Sequence, residues 1–105
     1  MTTNKINIED KILLVHPTGK KGINMSVNKY NVLKSAILDV LTTHGAITHT
    51  ELITKTSEEI IKNKIDFEGN LGWHIEWVKL DLESKGLIQR TKEKNKLYFS
   101  FKKNT

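Results

Sequence analysis

Asn70-Leu71-Gly72-Trp73-His74-Ile75-Glu76-Trp77-Val78-Lys79-Leu80-Asp81-Leu82-Glu83-Ser84-Lys85 is the stretch whose reading decides the fold. At about 100° per residue, Leu71, Ile75, Val78 and Leu82 fall in one narrow sector, the stripe that fastens a helix to a core. Trp73, Trp77 and Leu80, followed by Ser84, fall roughly opposite, so both tryptophans lie where an ordinary amphipathic helix is polar. A helix with two apolar faces needs a second cover. Three candidates are open: a hairpin of the same chain, a second copy or partner protein, and nucleic acid stacked on the indoles.

Reading outward, Gly86 supplies the residue that ends a helix, and Leu87–Lys92 and Lys96–Phe101 follow as strands separated by Glu93-Lys94-Asn95. Leu97, Phe99 and Phe101 alternate with Tyr98 and Ser100, which predicts a hairpin with one buried face. Upstream, Asp66–Asn70 with Gly69 is a loop, and Asn70 is the N-cap of the organising helix. Thr48-x-x-Glu51 matches a capping box, placing a helix start near His49. That helix draws its apolar residues from Leu52, Ile53, Ile60 and Ile61, with Thr54–Ser57 as a place where it could break. Asn28–Thr43 predicts another helix: Tyr30, Leu33, Ile37, Val40 and Leu41 recur at helical spacing, Asn28 serves as N-cap and Gly45 as stop. Ala46-Ile47 fits a minimal strand between the two.

Lys11–His16 and Ile23–Val27 are β-prone runs around Pro17-Thr18-Gly19-Lys20-Lys21-Gly22, which reads as a hairpin turn. A phosphate loop needs G-x-x-x-x-G-K-[ST] opening a helix. This spacing differs, and a strand follows. Met1–Glu9 is polar without periodicity and is expected to be poorly ordered; Lys102–Thr105 is a polar tail. The predicted fold is α+β and a single domain over residues 1–105. It is a winged helix, with a three-helix core and C-terminal β-hairpin wing over 28–101 and an N-terminal β-hairpin extension over 11–27.

Gly72-Trp73, Val78 and Leu80-Asp81-Leu82-Glu83-x-Lys85-Gly86 resemble a family of small, uncharacterised bacterial winged-helix-like proteins that share a GW....V.LDLE.KG pattern. The likeness covers roughly residues 11 to 101. It implies the fold and a cytoplasmic setting, and brings no activity, substrate or catalytic residues.

With 105 residues the chain has room for one core, and its longest apolar run, Ile12–Val15, is far too short to span a bilayer. Its first residues lack a signal peptide's apolar segment, so the sequence reading is cytoplasmic. There is no cysteine, hence no disulfide, thiol nucleophile or thiolate metal site. The net charge is +5, and its location matters more than its size: residues 85–105 hold seven basic residues and one acid, whereas residues 1–84 hold ten and eleven. An electrostatic partner would be met at the C-terminal end.

Four histidines are present, His16, His44, His49 and His74, but Gly45 separates His44 from His49, so they are not a helical i, i+4 metal pair. No metal site and no cofactor are expected. Glu76 and Glu83 flank Lys79 at i, i+3 and i, i+4 spacing, ordinary surface ion pairs rather than paired catalytic carboxylates. No nucleophile elbow or glycine-rich cofactor loop appears, and no enzyme is expected.

Arg90, Lys92, Lys94 and Lys96 lie on or beside the wing, where a winged helix contacts phosphates. Non-catalytic, regulatory binding of duplex DNA is the first expectation. Against it, the outward face of the third helix offers Trp73, Trp77 and Leu80 flanked by Glu76 and Asp81, with no Arg, Asn or Gln to read bases. The alternative is a protein-interaction or homodimerisation module that uses Trp73, Trp77 and Leu80 and no nucleic acid. Neither reading involves a membrane.

Overall fold

The computed structural model describes residues 10–102; Met1–Glu9, expected to be poorly ordered, and the last three residues of the tail lie outside them. In chain order the elements are β1 (Lys11–Leu14), β2 (Ile23–Ser26), α1 (Val27–His44), β3 (Ile47–Thr48), α2 (His49–Lys62), α3 (Leu71–Ser84), β4 (Ile88–Glu93) and β5 (Lys96–Phe101). β1 and β2 pair antiparallel, and β3, β5 and β4, in that spatial order, form a second antiparallel sheet. The fold is α+β.

The predicted core stripe of α3 is buried at Ile75, Val78 and Leu82, with Leu71 packed at its edge. It meets Leu33, Ile37 and Leu41 of α1 and Leu52 and Ile60 of α2, while Ile88 and Phe99 close the core from the second sheet and Leu14 and Met25 from the first. Each such side chain contributes about 1.5–3 kcal/mol through the apolar area it removes from water.

The helix ends follow local chemistry. Thr48 and Glu51 form the capping box reciprocally, the Thr48 hydroxyl accepting the Glu51 N–H at 3.2 Å and Glu51 Oε1 accepting the Thr48 N–H at 3.0 Å. Asn70 Oδ1 accepts the Trp73 N–H at 2.8 Å, as its N-cap role requires. Gly86, at φ 77°, ends α3 with the paired bonds of a Schellman motif, Leu87 N–H to Leu82 C=O and Gly86 N–H to Glu83 C=O.

Three details depart from the sequence reading, and a fourth decides what it left open. The N-cap of α1 is Ser26, whose hydroxyl accepts the Lys29 N–H; Asn28 falls inside the first turn. α2 runs unbroken through Thr54–Ser57 because Leu52 and Ile60, on the same i, i+4 row as Thr56, are buried, and their packing outweighs weak propensity and the buried Thr56 hydroxyl, which has no hydrogen-bond partner among the described residues. Ile61, expected on the apolar stripe, is 70% exposed. In β5 only Phe99 is buried: β3 is two residues long and pairs only with Tyr98 and Phe99, so Leu97 and Phe101 run past it and stay 41% exposed.

The turns also differ in detail. β4 continues to Glu93, which leaves a two-residue turn, Lys94-Asn95, with both residues at positive φ, as a type I′ hairpin turn requires. The Pro17–Gly22 segment is a turn region, with a 16–19 β-turn closed by Gly19 N–H on His16 C=O. Gly22 is where the chain folds back most tightly, since a Cβ there would lie 1.9 Å from the Leu14 carbonyl oxygen.

Gly22→Ala is expected to destabilise the protein by about 1–3 kcal/mol, the cost of forcing a side chain into packed backbone. Chemical denaturation measures it; an unchanged midpoint would contradict the close approach.

Candidate functional site

The chemistry-bearing residues gather around α3, and three of its four sides are occupied by other parts of the chain. On the side between Trp77 and Val78 lies Asp81, which is fully buried. One carboxylate oxygen accepts the Val15 N–H at 2.9 Å and the other accepts the Tyr30 hydroxyl at 2.7 Å, with the Lys85 ammonium also bound to it. In the β1–β2 ladder the Val27 N–H meets the Asp10 carbonyl, so alternation turns the Lys11, Leu13 and Val15 amides away from β2. Asp81 thus satisfies an edge amide of β1, and α1, α3 and the N-terminal hairpin converge on one carboxylate. Burial, and then the carboxylate it donates to, push the Tyr30 hydroxyl well above the usual tyrosine range.

Opposite Asp81, on the flank of α3 that faces α2 and the C-terminal hairpin, Lys79 is only 3% exposed. Its ammonium lies 4.3 Å from the Phe99 ring centroid and 3.2 Å from His49 Nδ1. An ammonium can only donate, so Nδ1 accepts; the other ring nitrogen, Nε2, then carries the hydrogen and donates to Glu76 Oε1 at 3.1 Å. Burial first, and the Lys79 charge second, hold the His49 imidazole below its ordinary value, and burial lowers Lys79 as well. Glu83 does not pair with Lys79. It takes Arg90 in two bonds, Nε to Oε2 at 2.6 Å and Nη2 to Oε1 at 3.0 Å, with the guanidinium 5.4 Å from the Phe99 centroid.

The four basic residues read as phosphate contacts therefore divide. Arg90 is committed to Glu83, whereas Lys92, Lys94 and Lys96 are exposed and make no ion pair among the described residues. Strand register places Lys92 on the face of Arg90 and Phe99, Lys96 opposite Glu93 on the other face, and Lys94 in the turn. Beside that tip, Thr48, His49, Thr50, Asn95, Lys96 and Leu97 line a shallow cleft.

The apolar second face divides too. Leu80 is 7% exposed and Trp77 is partly buried, with the His16 ring of the β1–β2 loop edge-on to it at 6.0 Å; Trp73 remains 46% exposed. The chain's own hairpin covers the part nearest Trp77 and leaves Trp73 open. Among the described residues no group of three potential metal ligands occurs, and no helix is long and apolar enough to cross a membrane.

Sequence reasoning placed Asp81 on the outward face and Lys79 in a surface ion pair; both are inside. A signal for Asp81 was present, since its wheel position lies between Trp77 and Val78, where two apolar faces nearly meet. For Lys79 there was none, because its burial depends on α2 and β5 arriving over it.

Asp81→Ala leaves a tyrosine hydroxyl, an amide and an ammonium without their acceptor, and a loss of about 3–5 kcal/mol is expected. Tyr30→Phe, which removes one bond to the carboxylate, is expected to lose about 1.5–3 kcal/mol. Equal midpoints for both variants and the parent in urea would contradict the anchoring role. Because the folded-state value of His49 lies below its ordinary 6.5, the unfolded chain takes the proton first. The contribution of His49 to stability is complete above that value and is lost as pH falls through the lower, folded-state value. In Lys79→Met the adjacent positive charge is gone, and the His49 titration followed by NMR should move upward; an ordinary imidazole midpoint in the parent would refute the arrangement.

No curated protein and no solved structure matches the chain. A family model described as a family of unknown function (DUF6958) matches residues 11–98, from the first residue of β1 into β5. The N-terminal hairpin thus lies inside the matched region, with the helices and the C-terminal hairpin. On that match, which takes in most of its length, the chain belongs to the DUF6958 family.

Proposed function

We propose that this protein is a non-catalytic winged-helix module that binds duplex DNA through the phosphate backbone, with the β4–β5 hairpin as its wing and little sequence readout. The element order supports the winged-helix reading: three helices, a minimal strand before the second, and a terminal hairpin whose β5 pairs with that strand. The observation that carries the function is the set of three exposed, unpaired lysines at the wing tip, Lys92, Lys94 and Lys96. Arg90 belongs to the scaffold, since Glu83 already neutralises it.

Sequence readout by α3 has little support. Its solvent side carries Trp73, Glu76, Trp77 and Glu83, which offer no bidentate donors for base edges. Protein association through Trp73, Trp77 and Leu80 is also less well supported, because Leu80 is buried and Trp77 half covered.

Duplex affinity measured by fluorescence anisotropy should fall linearly on a log–log plot against salt, with a slope of about 0.9 per phosphate contact. Replacing Lys92, Lys94 and Lys96 together by alanine should flatten the slope by up to three such contacts. Arg90→Ala should alter stability more than the slope. Absence of duplex binding at low salt would end this reading.

A further inference from the structure

Along α3 and into the loops that flank it, five rings follow one another. Phe67 lies edge-to-face with His74 at 5.1 Å, His74 with Trp73 at 4.9 Å, Trp73 tilted against Trp77 at 6.5 Å, and Trp77 edge-to-face with His16 at 6.0 Å. The row is held in place by main-chain bonds. Asn70 caps the turn that carries Trp73, and its carbonyl accepts from His74 Nδ1 at 2.6 Å, which leaves His74 Nε2 free to accept. At the far end His16 Nδ1 accepts the Thr18 N–H at 3.1 Å, so its Nε2 carries the hydrogen and is free to donate. Trp73, the most exposed ring, stands between them.

Lysines flank both ends. Lys29 Nζ lies 5.2 Å from the Phe67 centroid, beside the exposed acids Asp66 and Glu68, and exposed Lys20 and Lys21 belong to the loop that carries His16. The two carboxylates on the solvent side of α3, Glu76 and Glu83, are already engaged, Glu76 by His49 and Lys79 and Glu83 by Arg90, and His49 lines the cleft shared with Lys96. The row therefore continues toward the wing tip without an unpaired acid between them. Only Trp73 of the five rings is exposed, the other four being half-buried beside it, and an open ring with cations alongside for the backbone is what single strands bound without sequence preference use.

We infer that the Phe67–His74–Trp73–Trp77–His16 row is a stacking platform for the bases of single-stranded nucleic acid whose backbone runs toward the wing lysines. The inference rests on the reading of a nucleic-acid partner and specifies a form of it that uses different residues. A peptide or a second copy would not need the flanking lysines.

Both tryptophans of the chain belong to the row, so all tryptophan emission reports on it. An oligothymidylate strand titrated into the protein at low salt should quench that emission. Trp73→Ala should weaken single-strand binding by about fivefold or more, Trp73→Phe should restore most of it, and duplex affinity should stay as in the parent. If duplex binds but the single strand neither quenches emission nor responds to Trp73→Ala, the platform is refuted and the wing reading stands. If the single strand binds through Trp73 and duplex does not, the platform stands and the duplex reading falls. Loss of self-association in Trp73→Ala by light scattering, with no effect on oligonucleotide, would assign the row to a second copy and refute the platform. Failure of both nucleic acids to bind would overturn both readings.

Discussion

The carboxylate of Asp81 is the constraint on which this small fold turns. It lies fully buried on α3 and receives the main-chain amide of Val15, just past β1, a hydroxyl from α1 and the ammonium of Lys85 at the C-cap of its own helix. A two-stranded hairpin has little stability alone, and β1–β2 gains its place from this anchor together with Leu14 and Met25, which it contributes to the core. Once anchored, the hairpin brings His16 against Trp77 and occupies part of the helix face that would otherwise be free. What α3 can offer a partner is set by that placement.

Much of the architecture was legible in local sequence. The Leu71–Ile75–Val78–Leu82 stripe, the Thr48–Glu51 box, the Asn70 cap and the glycines at 45 and 86 act within a turn or two of themselves, and the elements they specify are present. Tertiary contacts decided the rest. Thr56 is helical because Leu52 and Ile60 on either side of it are buried, Leu97 and Phe101 are exposed because β3 ends too early to shelter them, and Ser26 displaces Asn28 as cap because β2 delivers it to the helix start. Around the candidate site, the basic composition of the C-terminal segment was plain, but the distinction between Arg90 and its lysine neighbours was not. That distinction depends on Glu83, seven residues earlier, facing the sheet.

Net charge alone therefore misstates what a partner meets. Lys79, Lys85 and Arg90 are basic residues of the C-terminal third, yet each is spent inside the molecule, on Glu76 and Phe99, on Asp81, and on Glu83. Phe99 is enclosed by Lys79, Arg90 and His49, an aromatic face that stabilises cations taken partly out of water. The charge left for an external ligand sits beyond this cluster, on the lysines whose neighbours do not answer them.

The Val15–Asp81 bond joins residues 66 positions apart, so the β1–β2 hairpin, which also packs on α1, gains its polar anchor only when the last helix is present. Leu14 and Met25 reach their full burial only in the core that α1 and α3 complete. Long-range contacts of this kind are made late and slow the approach to the native state.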